Sequence, residues 1–257
     1  MSTDVQGHRG ARGYRPENTL PTFEYALALG VDTLEMDCGV TKDGVVVVHH
    51  DRRLNPDVAR GADGKWVAPP GPTIRSLTFA ELQRYDVGRI RPGSEYARRF
   101  PHQQPLDGAR IPRLADVLKL KSQFNIETKL LPEHAEETVG PEEFASLLVE
   151  QIRRAKARAT IQSFDYRTLK IVERDAPEIP TVYLSEGAAS PPPGAKIWSP
   201  SFNDLNPSRI KDFAGRIVAW TVNEPADIAR ALDWGVHGII SDYPDRVIAE
   251  LKRRGAR

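Results

Sequence analysis

The feature that most constrains this chain is an alternation of short Val- and Ile-rich runs with longer stretches of helical periodicity. A parallel strand covered on both faces reads as an unbroken apolar run, and the return to the next parallel strand needs a helix-length crossover. Runs at 5–8, 33–40, 45–49, 123–128, 159–163, 181–185, 196–199, 216–221 and 238–241 predict strands. Helical patterns fall at 19–29, 142–155, 165–174, 224–234 and 245–254, with Asn18 or Thr19 expected to cap the first. If 33–40 and 45–49 pair as a hairpin about Lys42-Asp43-Gly44, eight strands remain in the main series. Eight βα units in 257 residues is the size of an α/β TIM (β/α)8 barrel. The stretch 51–112, with Pro69, Pro70 and Pro72 and one helical piece near 78–85, reads as an insertion after the second strand. Residues 1–257 are therefore expected to form one barrel domain that carries this segment.

Composition narrows the function classes. Lys plus Arg number 36 against 35 Asp plus Glu, a net charge of +1 that offers no global field for nucleic acid or an anionic membrane. An anionic ligand must then be held by a local cluster. The basic end Lys252-Arg253-Arg254 reads as the solvated last turn of a helix. Cys38 is the only cysteine, which excludes an internal disulfide and a cysteine zinc site; it reads as a small core residue. No window approaches 18 consecutive apolar residues, and the opening MSTDVQGHRG lacks the pattern of a signal peptide, so a soluble chain is expected. The first motif begins only seven residues in, which suits a cytoplasmic enzyme or a mature periplasmic or secreted one.

Chemistry gathers at the predicted strand ends. Glu35 and Asp37 stand at i and i+2 of a strand and so share one face, and Glu127 and Lys129 do the same two strands later. In a barrel the C-terminal strand ends form the catalytic rim. Three carboxylates converging there suit a hard divalent cation with oxygen ligands, Mg²⁺ or Ca²⁺. The first strand ends in Gly7-His8-Arg9-Gly10 and the hairpin in His49-His50-Asp51, which brings histidines suited to proton transfer toward the same rim. Arg9 offers a bidentate grip on phosphate and Lys129 a point charge. Three carboxylates, one divalent cation and one phosphodiester sum to −2, which Arg9 and Lys129 offset.

The string HRGARGYRPENT at 8–19, LEMD at 34–37, VVVVHHDRRLN at 45–55, NIETK at 125–129, IQSFD at 161–165, AWTVN at 219–223 and GIISDYPD at 238–245 resemble, in order, the motifs of the glycerophosphodiester phosphodiesterase family. The resemblance implies a TIM barrel with a small insertion. It further implies metal-dependent hydrolysis of glycerophosphodiesters, such as glycerophosphocholine, to glycerol 3-phosphate and an alcohol. By position, His8 and His50 match the family's catalytic pair, and Glu35, Asp37 and Glu127 its metal ligands. Arg9 and Lys129 match phosphate-contacting positions, Glu17 lies on the site-forming first loop, and Gln162 and Trp220 match positions near the substrate. His49 stands where relatives more often carry an apolar or aromatic residue. Strand alternation lets one of the two histidines face the site, and His50 is chosen because it precedes Asp51.

Phe164 reads as rim lining and Asp242 as a cap or loop organiser, while Arg89, Arg91, Tyr96 and Arg98 of the insertion read as solvated surface in preference to a cover over the site that touches the substrate's alcohol end. The attacking group is either water or the glycerol 2-hydroxyl. Two rivals remain: a lysophospholipase D with an apolar groove, which the insertion lacks, and a barrel that binds without turnover. The implied partner is a small-molecule phosphodiester, with neither nucleic acid nor stable membrane insertion.

Overall fold

A computed structural model describes residues 3–257. Among them nine strands form one sheet: β1 (Asp4–Gly7), β2 (Thr33–Val40), β3 (Val46–Val48), β4 (Gln123–Thr128), β5 (Arg158–Ser163), β6 (Thr181–Ser185), β7 (Ile197–Pro200), β8 (Arg216–Ala219) and β9 (Gly238–Ser241). Neighbours run β1-β9-β8-β7-β6-β5-β4-β2, all parallel, and β1 pairs with β2 to close an eight-stranded barrel. β3 is the ninth strand and pairs antiparallel with β2 across the Lys42-Asp43-Gly44 turn, where Gly44 takes a φ of 78°. The expected (β/α)8 fold is the one observed.

The helices are α1 (Leu20–Leu29), α2 (Phe79–Leu82), α3 (Glu95–Arg99), α4 (Leu114–Val117), α5 (Pro141–Ala155), α6 (Tyr166–Asp175), α7 (Pro207–Asp212), α8 (Pro225–Asp233) and α9 (Pro244–Arg253). α5 shows why they pack on the sheet: Phe144, Ala145, Leu148, Val149 and Ile152 recur at helical spacing and are all buried. Burying each large apolar side chain contributes about 1.5–3 kcal/mol. On β2 the odd positions Glu35 and Asp37 face the barrel interior, while Met36 and Cys38 alternate outward into the apolar layer beneath the helices. Cys38 is thus the core residue expected. No helix is long and apolar enough to cross a membrane.

Several boundaries differ from expectation. The strand predicted over 216–221 stops at Ala219, because Trp220 and Thr221 turn off onto the rim. The predicted helix over 78–85 is one turn long, started by a reciprocal capping box between Thr78 and Glu81. Helices α3, α4 and α7 are too short to show a periodic signal and were not anticipated. Thr19 is the N-cap of α1, but neither candidate side chain caps it: the Thr19 hydroxyl donates to the Pro16 carbonyl at 2.7 Å and the Asn18 amide to Asp37 at 2.9 Å.

The segment between β3 and α4 builds its own small apolar cluster from Leu54, Ala59, Ile74, Leu82, Val87 and Ile111, seated on Val47. It is tied to the first loop, with Gln104 N donating to the Tyr14 carbonyl and Gln103 Nε2 to that of Arg12, at 2.9 and 2.8 Å. These bonds hold α3 against the C-terminal rim of the barrel.

Candidate active site

Register builds the floor of the site. In the β2–β4 ladder Asp37 stands opposite Glu127 and Glu35 opposite Asn125, and Glu127 stands opposite Gln162 of β5. All these side chains point inward, and the carboxylate oxygens of Glu35, Asp37 and Glu127 lie within 4.8 Å of one another. Beneath them is a polar layer: Asn125 Nδ2 donates to Gln6 and to Gln162, each at 2.9 Å, and Thr160 donates to Asn125 Oδ1 at 2.9 Å. That layer leaves Gln162 Nε2 aimed at Glu35 Oε1, 2.7 Å away. Gln162 therefore fixes a carboxylate as well as lining the cavity.

The cations come from the loop after β1, which carries Arg9, and from the end of β4, which Lys129 follows. Arg9 adopts a left-handed φ of 51°, an uncommon and strained state for a residue with a side chain. The turn aims its backbone N–H at Glu35 Oε2, 2.9 Å away. Gly10 follows at φ 90°, where a Cβ would meet Thr22 at 2.4 Å, so the turn requires glycine. The Arg9 guanidinium reaches Glu17 at 2.8 Å and Asp37 at 3.3 Å. Lys129 reaches Glu127 at 2.7 Å and Asp37 at 3.7 Å.

Each candidate histidine is half of an Asp–His pair. His8 Nδ1 lies 2.7 Å from Asp242 Oδ1, which leaves Nε2 toward Glu35 Oε2 at 4.0 Å. His50 Nδ1 lies 2.8 Å from Asp51 Oδ1, and its Nε2 accepts from Lys129 Nζ at 3.1 Å. His50 lines the cavity, whereas His49 is buried, with Nε2 3.4 Å from the Arg53 carbonyl oxygen. The cavity, about 500 Å³, is lined by His8, Arg9, Glu35, Asp37, His50, Glu127, Lys129, Gln162 and Trp220; Glu17 stands behind Arg9.

The glycerophosphoryl diester phosphodiesterase family matches residues 8–246, nearly the whole chain and every one of these side chains. The chain belongs to that family. A glycerophosphodiester phosphodiesterase of Bacillus subtilis is 30% identical, over 93% of this chain and 83% of that protein. One from Caldanaerobacter subterraneus is 29% identical, over 99% of this chain and 100% of that protein. The crystal structure of a Silicibacter pomeroyi protein assigned to the same activity superposes with a TM-score of 0.92 at 35% identity, covering 99% of this chain and 94% of that one. An Oleispira antarctica phosphodiesterase in complex with sn-glycerol-3-phosphate shares the fold, with a TM-score of 0.77 at 21% identity over 98% and 97% of the two chains. This family member is an enzyme, a phosphoric diester hydrolase.

Electrostatics in this hydrolase follow from burying like charges together. Burial raises the Glu35 carboxyl well above the carboxylate range, and the charge of Asp37 raises it further. Burial also pushes Glu127 up, to about 7, against the pull of Lys129. Asp37 is held well below the ordinary range despite its burial, because His50, Arg9 and Lys129 surround it. Burial works against the Arg9 charge, but Glu17 and Asp37 outweigh it and keep the guanidinium ionised. Burial, then Arg12, lowers His8; burial, then Arg9, lowers His50 to about 4. A buried, crowded, all-oxygen donor set fits a hard divalent cation, so Glu35, Asp37 and Glu127 could hold one. His134, Glu136 and Glu137 also cluster, but both Glu137 oxygens already accept from Arg52 and Arg53.

Several residues shape the site in ways that differ from their sequence reading. Asp242, read as a loop organiser, accepts from His8, from Arg12 Nε at 2.8 Å and from Asn223 at 2.8 Å. Asn18 holds Asp37. Tyr96, for which the sequence favours solvated surface over a cover on the site, lines the cavity, donates to Glu17 and accepts from Arg12 at 3.1 Å. Arg89 and Arg98 do lie on the surface, bonded to Asp107 and the Gly93 carbonyl. Arg12, Asn18 and Asp242 all lie within the motif strings, whose polar positions carried the signal; Tyr96 lies in a stretch with no periodicity.

Proposed function

We propose that the chain hydrolyses glycerophosphodiesters, such as glycerophosphocholine, to glycerol 3-phosphate and an alcohol, by metal-dependent two-histidine acid/base catalysis. The observation that carries this reading is the convergence of two Asp–His pairs, three carboxylates and two cations on one cavity. The product-bound Oleispira relative adds support for the product class.

Glu35, Asp37 and Glu127 would hold a divalent cation, which would supply Lewis-acid polarisation when bound. Arg9 and Lys129 neutralise the phosphodiester and orient it. Asp242 and Asp51 each accept a hydrogen bond from Nδ1–H of their histidine, which leaves Nε2 as the working nitrogen of both rings, that of His50 in contact with Lys129 Nζ. One Nε2 accepts a proton from the attacking hydroxyl as its oxygen bonds to phosphorus. The bond from phosphorus to the departing oxygen breaks, and the other histidine, entering the step protonated at both ring nitrogens, donates its Nε2 proton to that alkoxide. The bound phosphodiester anion raises both histidine pKa values from their depressed resting state, which readies the acid partner. With water as nucleophile the products are glycerol 3-phosphate and the free alcohol.

The test compares glycerophosphocholine with lysophosphatidylcholine under added Mg²⁺ or Ca²⁺. Release of glycerol 3-phosphate from the first, with little cleavage of the second, is expected from a small, heavily charged cavity. Preferential cleavage of the lysophospholipid overturns this substrate class, and turnover of neither overturns the catalytic reading.

A further inference from the structure

The cavity has two chemically different walls. On the insertion side stand Tyr96 and Arg99, with the Arg99 guanidinium 5.7 Å from the Tyr96 ring centroid. On the opposite strand ends stand Phe164 after β5, Glu186 after β6 and Trp220 after β8. Phe164 and Trp220 meet edge to face, with centroids 5.6 Å apart at 87°. The Trp220 Nε1–H donates to the Ser199 carbonyl at 2.9 Å, so the polar edge of the indole is already satisfied and its contribution to the cavity is ring surface.

Glu186 differs from every other carboxylate at the site. Glu17, Glu35, Asp37, Asp51, Glu127 and Asp242 each accept from a named donor, while Glu186 has no hydrogen bond or ion pair among the described residues. It is exposed and lines the same cavity as the aromatic pair. An uncommitted carboxylate sharing a cavity with two ring surfaces attracts a cation on both counts, by charge and by the ring quadrupole. Arg99 repels a cation from the far wall. Arg9 and Lys129 already serve the phosphate, so the Glu186 charge remains for the alcohol.

We propose that Phe164, Trp220 and Glu186 form a leaving-alcohol subsite that selects a cationic alcohol, bearing a quaternary or primary ammonium, over a neutral one. This rests on the phosphodiesterase reading above and adds to it a specificity determinant, Glu186, together with Phe164.

The experiment measures kcat/KM for glycerophosphocholine, glycerophosphoethanolamine and glycerophosphoglycerol with divalent cation present. The first two are expected to exceed the third by about tenfold, the scale of one cation–π contact plus one exposed charge pair. Glu186→Gln and Phe164→Ala should each cut that ratio severalfold, with the loss falling on KM of the ammonium substrates. Ratios within about twofold of one another in the wild type, or unmoved by both variants, overturn the subsite while the phosphodiesterase reading stands. Turnover of none of the three diesters overturns that reading, and the subsite with it.

Discussion

His8 and Asp242 are 234 residues apart in sequence, yet Nδ1 of the first and Oδ1 of the second lie 2.7 Å apart. Closure of the barrel makes this contact: β1 and β9 pair in register, with Gly7 opposite Ser241, so the residues that follow each strand meet at the rim. The carboxylate fixes the imidazole tautomer and also compensates the buried Arg12. Asp242→Asn should therefore lower kcat by ~10²-fold or more by loosening His8. It should also cost about 3 kcal/mol of stability, because Arg12 loses its charge partner. Steady-state kinetics and a urea midpoint measured on the same preparation check both.

The two histidines are expected to be individually necessary. His8→Ala and His50→Ala should each lower kcat by ~10²-fold or more with the fold retained, whereas His49→Ala should change kcat far less, since His49 packs beneath the rim. Near-wild-type turnover by either His8→Ala or His50→Ala would remove that residue from the mechanism.

Tyr96 links the inserted segment to the phosphate grip, since its hydroxyl bonds Glu17, which in turn holds Arg9. Tyr96→Phe removes a buried hydroxyl and leaves a carboxylate oxygen short of a donor, at a cost of about 1–2 kcal/mol. If that cost falls on the positioning of Arg9, kcat/KM should drop roughly 5- to 30-fold with little change in melting temperature. An unchanged kcat/KM would make the contact incidental.

The barrel was legible because its strands are continuous apolar runs and its interior positions obey a period of two; Glu35, Asp37 and Glu127 share a face for that reason alone. Partnerships made by closure were not legible. Nothing near Asp242 in the sequence announces His8, and so it read as a loop organiser. The insertion was opaque for another reason: α2 and α3 span 4 and 5 residues, too few for a periodic signal, and the bonds that carry Tyr96 to Glu17 bridge 79 residues. Trp220 was read as part of a strand because AWTV is apolar, although the strand ends one residue before it.

At the opposite end of the barrel His237 gives a pH dependence of known sign. Its Nδ1 accepts from Ile217 N–H at 3.1 Å, and burial, then Arg216, lowers its pKa below 6.5. The folded state thus holds fewer protons here than the unfolded chain, and the stabilisation present above about pH 6.5 is lost as pH falls toward the lower folded value. His8 and His50 shift in the same direction, so the variant isolates the contribution of His237. His237→Asn keeps an acceptor without the titration, and its urea midpoint should fall less than that of the wild type between pH 7.5 and 5. Parallel profiles would contradict the assignment.

The central claim is tested most directly by following glycerol 3-phosphate release from glycerophosphocholine by chelator-stripped protein. Mg²⁺, Ca²⁺ or no metal is added back, and Glu127→Ala is run beside the wild type. Release that returns with a divalent cation in the wild type and not in Glu127→Ala is the predicted result. Equal release with and without metal, or full activity in Glu127→Ala, would contradict the three-carboxylate site.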